Sequence, residues 1–149
     1  MKRIKLIAFS IALIALASCK KEKGTEIAYQ YYEIGFKRVD TDWRDTAFVV
    51  RTASKPLIEQ LDAQLLLPVE QRKIVSGALV RGNGGYNKNG DHEFGWHFKE
   101  DDWSLTDVTV EIYDGRPYSD IDKDLDYWID TVKRYGSWGS YVRKRLDDK

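Results

Sequence analysis

Apolar residues recur along this chain at two spacings, every second position and every three to four, and the changes between them mark out the elements. The run "AFVVRTA" at 47–53 is short and β-branched and predicts a strand. "SKPLIEQLDAQLLLP" follows at helical spacing, with Leu57, Ile58, Leu61 and Leu65 on one face. Ser54 is placed to cap it, Pro56 falls in the first turn where a missing N–H is harmless, and Pro68 ends it. "KIVSGALVRG" at 73–82 predicts a second strand, broken by a loop over 83–95 that is rich in glycine and asparagine. A third strand opens at Trp96, His97 and Phe98, and a fourth covers 105–114, where Val108, Val110 and Ile112 alternate with polar residues. A second helix runs over 118–136, striped by Ile121, Leu125, Trp128, Ile129 and Val132. Aspartates fill its first turns, Lys133 and Arg134 its last, and Gly136 is placed to close it. A closing strand spans 137–146. The order β-α-β-β-β-α-β predicts an α+β two-layer sandwich, with a mixed, mostly antiparallel sheet and both helices on one face.

The first 24 residues have a different character. Lys2, Arg3 and Lys5 precede an apolar run from Leu6 to Ala17, the layout of a secretory signal. That run is well short of the ~20 residues a membrane-spanning helix needs. Leu16-Ala17-Ser18-Cys19 resembles the lipobox of bacterial lipoproteins, which implies cleavage before Cys19 and acylation of that residue as a membrane anchor. Cys19 is the single cysteine, so no intramolecular disulfide can form. Three domain segments are expected: a signal peptide over 1–18, a lipidated tether over 19–44, and one α+β domain over 45–149. The tyrosines at 29, 31 and 32 could begin an edge strand within that tether. Lys20 is not the aspartate that retains some lipoproteins at the inner membrane, so the expected address is the outer membrane of the cell envelope.

Charge narrows the partners. The whole chain has 24 basic and 24 acidic residues, and loss of the signal leaves 21 against 24. A mature chain near −3 lacks the basic face that nucleic acid requires. "DIDKDLD" at 120–126 spaces aspartates like the start of a calcium loop, but Leu125 stands where glycine is needed and Thr131 where a bidentate glutamate is. "GNGG" at 82–85 leads into a loop and a strand, not into the helix a phosphate turn requires. Asp91, His92, Glu93 and His97 lie close together but match no zinc spacing. Ser76, Thr109 and Ser140 are possible nucleophiles with His97 as base, yet no GxSxG elbow is present. No metal, cofactor or catalytic residue is therefore assigned.

Strand alternation suggests a surface. With Trp96 and Phe98 facing the helices, His97 points to the open side of the sheet, as does Glu111 of the fourth strand. A carboxylate beside the imidazole would favour its charged form. Tyr86, Trp96, Trp103, Tyr113 and Trp138 lie on or beside the same strands, a rigid amphipathic palette suited to glycans or peptides.

The segment from 47 to 146 resembles the N-terminal domain of the cAMP-inducible protein family. The matching pieces are Phe48-Val49-Val50 before Pro56, Gly77 before Tyr86-Asn87, an aromatic segment ending at His97, Glu111-Ile112 with Asp114, and Trp138, Ser140 and Val142. Departures are Lys88 in place of a proline, the insertion "NGDHEFG", missing cysteines and a shorter final loop. The resemblance implies a compact α+β binding module and picks out Tyr86, Asn87, His97 and Glu111. The expected function is a lipid-anchored, non-catalytic envelope module. It binds a glycan, peptide or protein through Tyr86, Asn87, Trp96, His97, Glu111 and Trp138. The alternatives are a small hydrolase using His97 or a purely structural lipoprotein.

Overall fold

The computed structural model describes residues 28–109 and 115–147. The signal, Cys19 with the tether as far as residue 27, Val110 to Asp114 with Glu111 and Tyr113, and the last two residues lie outside the described residues. The fold is α+β. Its strands are β1 (Gln30–Phe36), β2 (Ala47–Thr52), β3 (Ile74–Arg81), β4 (Lys88–Asn89), β5 (His92–Glu93), β6 (Trp96–Thr106), β7 (Arg134–Tyr135) and β8 (Ser140–Leu146). Helix α1 spans Lys55–Leu65 and packs against β8 and β6.

Among the described residues two three-stranded sheets, ordered β2-β1-β8 and β6-β3-β7, and the small β4-β5 ladder replace the single sheet the pattern suggested. Every ladder among the described residues is antiparallel. β1 is the centre of its sheet and not an edge, so the fold takes in residues well before 45. The reason is alternation: Tyr32, Ile34 and Phe36 are buried while Tyr31 and Glu33 remain partly exposed. The sheets meet over Phe48 of β2. Its ring lies 5.1 Å from Trp96, 5.5 Å from Phe98 and 5.3 Å from Tyr135 of the other sheet.

The expected third strand runs on to Thr106 as β6 and takes in only the first two residues of the expected fourth; 107–109 are not strand, and 110–114 lie outside the described residues. Its pairing with β3 slips between Gly77, opposite Trp103, and Leu79, opposite Phe98. Four residues, "KEDD" at 99–102, stand against the single Ala78; the three extra change the phase, so that even-numbered Phe98 and odd-numbered Trp103 are both buried. Gly77 allows the two aromatics to close over it, since a Cβ there would lie 2.6 Å from Trp103 Cβ. Val108, expected to face the core, is 76 % exposed.

Other local expectations shift as well. Ser54 makes no side-chain cap bond, although its carbonyl accepts from Ile58 N–H. The glycine-rich segment is not irregular throughout but forms the hairpin β4–β5 around Gly90. The second helical run is wider than an α-helix, with π turns at Pro117–Ile121 and Tyr127–Val132 around a 3₁₀ turn at Asp122–Asp124. It closes at Lys133, in the left-handed region at φ 66°, three residues before Gly136. Lys133 N–H bonds Trp128 O, and Lys133 O accepts from Leu79 N–H, so docking on β3 ends the helix early.

Candidate functional site

The residues predicted to bind divide between the interior and the surface. Trp96 and Asn87 are fully buried and Tyr86 is 4 % exposed, so they form no ligand surface. Trp96 packs among core rings and donates Nε1–H to Pro117 O at 3.1 Å. Asn87 bridges the two sheets. Its Oδ1 accepts from Val49 N–H of β2 at 2.9 Å, and its Nδ2 donates to Trp96 O of β6 at 2.8 Å. The Tyr-Asn pair thus closes the sandwich, because amide geometry satisfies a donor on one sheet edge and an acceptor on the other.

His97 does lie at the surface, half-buried, and stands opposite Val80 on β3. Its Nδ1 donates to Gly82 O at 2.5 Å, which leaves Nε2 outward, and its ring meets Tyr86 edge-on. The proposed partner Glu111 lies outside the described residues; the carboxylate whose charge state His97 influences is Glu100. Trp138 is 58 % exposed at another part of the domain, with Nε1–H donated to Thr109 O.

No triad is assembled from the predicted hydroxyls. Ser76 donates to Tyr135 O and accepts from Arg134 Nε. Ser140 is fully buried, accepting from Val75 N–H and donating to Ser137 O. His97 stands opposite Val80, four residues along β3 from Ser76, about 13 Å away at strand rise. Among the described residues no group of three or more His, Cys, Asp or Glu side chains is arranged to hold a metal ion.

The polar cluster that the fold does build centres on Arg51. This lone charge in the apolar β2 points outward beside Tyr31, its partner on β1. Arg51 Nε–H donates to Glu100 Oε1 at 2.6 Å, and a second guanidinium nitrogen also meets that carboxylate. The guanidinium carbon lies 4.2 Å from the Tyr29 ring centre and 4.6 Å from that of Tyr86. Tyr31 packs edge-on against Tyr86, and the Tyr29 hydroxyl donates to Glu100. The Arg51 and Glu100 side chains stay 23 % and 32 % exposed, so the planar fork is fixed yet reachable by solvent. Such a surface offers the partly exposed rings of Tyr29 and Tyr31 beside a fixed donor and acceptor. Arg51, Glu100, Tyr29 and Tyr31 were absent from the expected site. The available signals were the single arginine in "AFVVRTA" and the closely spaced tyrosines of β1.

Burial works against the Glu100 carboxylate, but hydrogen bonds from Tyr29 and Arg51 and the charges of Arg51 and His97 outweigh it. Its pKa is held below the ordinary glutamate range. A depressed folded-state pKa contributes stability above the unfolded value of ~4.3 and loses it as pH falls through the folded value. Glu100→Gln should therefore lower the thermal midpoint at neutral pH, and the gap to the parent should close below about pH 4. A gap that persists unchanged into acid would show that the carboxylate charge is not what Arg51 uses.

A concavity of about 260 Å³ is lined by Val39, Asp40, Thr41, Asp42, Asp45, Arg116 and Ser119. Its carboxylates are engaged within the protein. Asp45 accepts from Tyr118 N–H, Ser119 N–H and the Ser119 hydroxyl, holding the start of the second helical run. Asp40 accepts from Arg38 and Arg116, and Arg44 holds Asp42 down to about 2. His92, the other histidine, pairs with Asp122 at 3.0 Å, and the same carboxylate accepts Gly95 N–H, which ties the hairpin to that run.

These arrangements can be set against known proteins. No curated protein and no solved structure matches the chain. The family model of the BP-74 N-terminal domain matches residues 33–149, from the middle of β1 through β8, and so takes in both sheets, the Asn87 bridge and His97. With most of its length covered, as the sequence resemblance implied, the chain belongs to the BP-74 N-terminal domain family.

Proposed function

We propose that this protein is a lipid-anchored, non-catalytic binding module of the cell envelope, held by acylated Cys19 and displayed at the outer membrane. Its ligand surface is the Arg51 cluster together with His97, and the ligand class best suited to it is a glycan. The reading is carried by one observation, the Arg51 guanidinium fixed between Tyr29 and Tyr86 with Glu100 clamping its fork. Paired donors and acceptors beside aromatic faces suit vicinal hydroxyls on a sugar, and they lose little side-chain freedom on binding. The anchor is supported by Leu16-Ala17-Ser18-Cys19 behind a signal-like segment. Burial of Trp96, Trp103 and Trp128 favours a second reading, a structural envelope lipoprotein with no small ligand.

Two measurements decide this. Intact-mass analysis of protein extracted from membranes should show acylated Cys19, and Cys19→Ser should release the chain from the membrane fraction. On glycan and peptide arrays, Arg51→Ala and His97→Ala should lose about tenfold or more in binding while keeping a cooperative melt. Equal binding by parent and variants would remove this cluster from the ligand surface, and no glycan bound by the parent would leave the structural reading.

A further inference from the structure

Among the described residues the exposed large hydrophobics are Val39, Leu66, Leu67, Val108, Trp138 and Trp43. Trp43 lies along the flank, against the Gly90 turn. The other five occupy one end of the domain. Lys37 N–H bonds Gly139 O, which joins the turn after β1 to the turn before β8. Lys37 Nζ reaches Glu70 O, bringing in the turn after α1, and Trp138 Nε1–H reaches Thr109 O beyond β6. Four turns thus present apolar tips side by side, with Val39 97 % and Leu66 87 % exposed. The chain enters the domain at the opposite end, where β1 starts at Gln30.

We infer that these apolar tips dock onto a lipid bilayer, the one that holds the acylated amino terminus. The inference rests on the lipid-anchor reading for the nearness of that bilayer. Cys19 to Tyr29 is ten residue steps, about 35 Å when extended. The length of β1 is about 20 Å at strand rise, so the tether is long enough to run back beside the domain. The composition favours lipid over protein. A protein interface needs a contiguous, closely packed apolar core. Here the aliphatic side chains stand on separate turns, with Lys37, Glu70 and the Lys73–Asp107 pair among them. A fluid bilayer accepts protruding side chains without shape complementarity, and tryptophan is at home in its interface. Both charge signs at the rim call for no anionic lipid. Docked this way, the protein turns the end of β2 that carries Arg51 away from the membrane.

The test uses the chain from residue 19 with Cys19→Ser and phosphatidylcholine vesicles, so that it does not depend on lipidation. Co-sedimentation that survives high salt, with tryptophan emission quenched by brominated acyl chains in the parent and not in Trp138→Phe, is the expected result. The double variant Val39→Asp and Val108→Asp should weaken partitioning about tenfold or more at an unchanged melting midpoint, because both side chains are exposed. Absence of vesicle binding, or equal binding by the variant, overturns the inference. So does binding that needs anionic vesicles, or a concentration-dependent dimer that the variant abolishes. An unacylated Cys19 in membrane extracts would instead sink the anchor reading and leave a positive vesicle result standing.

Discussion

Trp96→Ala is expected to destabilise the fold by about 3–5 kcal/mol, the range for removing a large aromatic from a packed core. Trp96 is fully buried. Its ring stacks on Tyr135 at 6.2 Å and lies 5.6 Å from Phe94, in addition to Phe48. Alanine would open a cavity where the two sheets meet and would strip Pro117 O of its donor. Against a net stability of ~5–15 kcal/mol for a domain of this kind, that loss is large enough to unfold a sizeable fraction of molecules at physiological temperature. Trp138→Ala should change stability by about 0.5 kcal/mol or less, since that ring is exposed and holds one hydrogen bond. Denaturant melts of the two variants separate core from surface directly. A Trp96→Ala midpoint close to the parent's would place that ring outside the core and return it to the list of ligand contacts.

Asn87 carries the second large effect, through polarity rather than volume. Removing its amide leaves Val49 N–H and Trp96 O without that partner in a dry position. Each orphaned group is worth about 1–3 kcal/mol, so Asn87→Ala should destabilise by about 2–4 kcal/mol. Asn87→Asp is the sharper test. An ionised carboxylate can accept from Val49 N–H but cannot donate to Trp96 O, and burial raises its pKa. A raised folded-state pKa contributes stability below the unfolded value of ~3.9 and loses it as pH rises through the folded value. Measured against the parent at each pH, the aspartate variant should be nearer to normal in acid and worst at neutrality. A pH-independent difference would mean that the residue only fills space.

The two variants show why the candidate surface was read only in part. The alternation rule placed Trp96 and Phe98 inward and His97 outward, and the fold has them so. What failed was the step from chemistry to exposure. Tyr86 and Asn87 look like ligand contacts in a polar, glycine-rich segment, yet that segment folds back over the edge of β2 and buries both. The Arg51 cluster was missed for the opposite reason. Its members come from β1, β2, β6 and the loop after β3, and no spacing along the chain announces that they meet.

Short-range physics explains what could be read directly. α1 begins beside Pro56 and stops short of Pro68, and β2, β3 and β8 fall inside the strands expected for them, because φ restriction and side-chain periodicity act over a few residues. Long-range pairing settled the remainder. Whether "QYYEIGF" was tether or central strand depended on β2 and β8 flanking it. Whether Trp103 or Ser104 faced the core depended on a bulge at 99–102, beside which Gly77 leaves room for Phe98 and Trp103. A strand's neighbours and a side chain's burial are properties of segments far apart in the chain brought into contact, so hydrophobic rhythm within one segment carries no record of them.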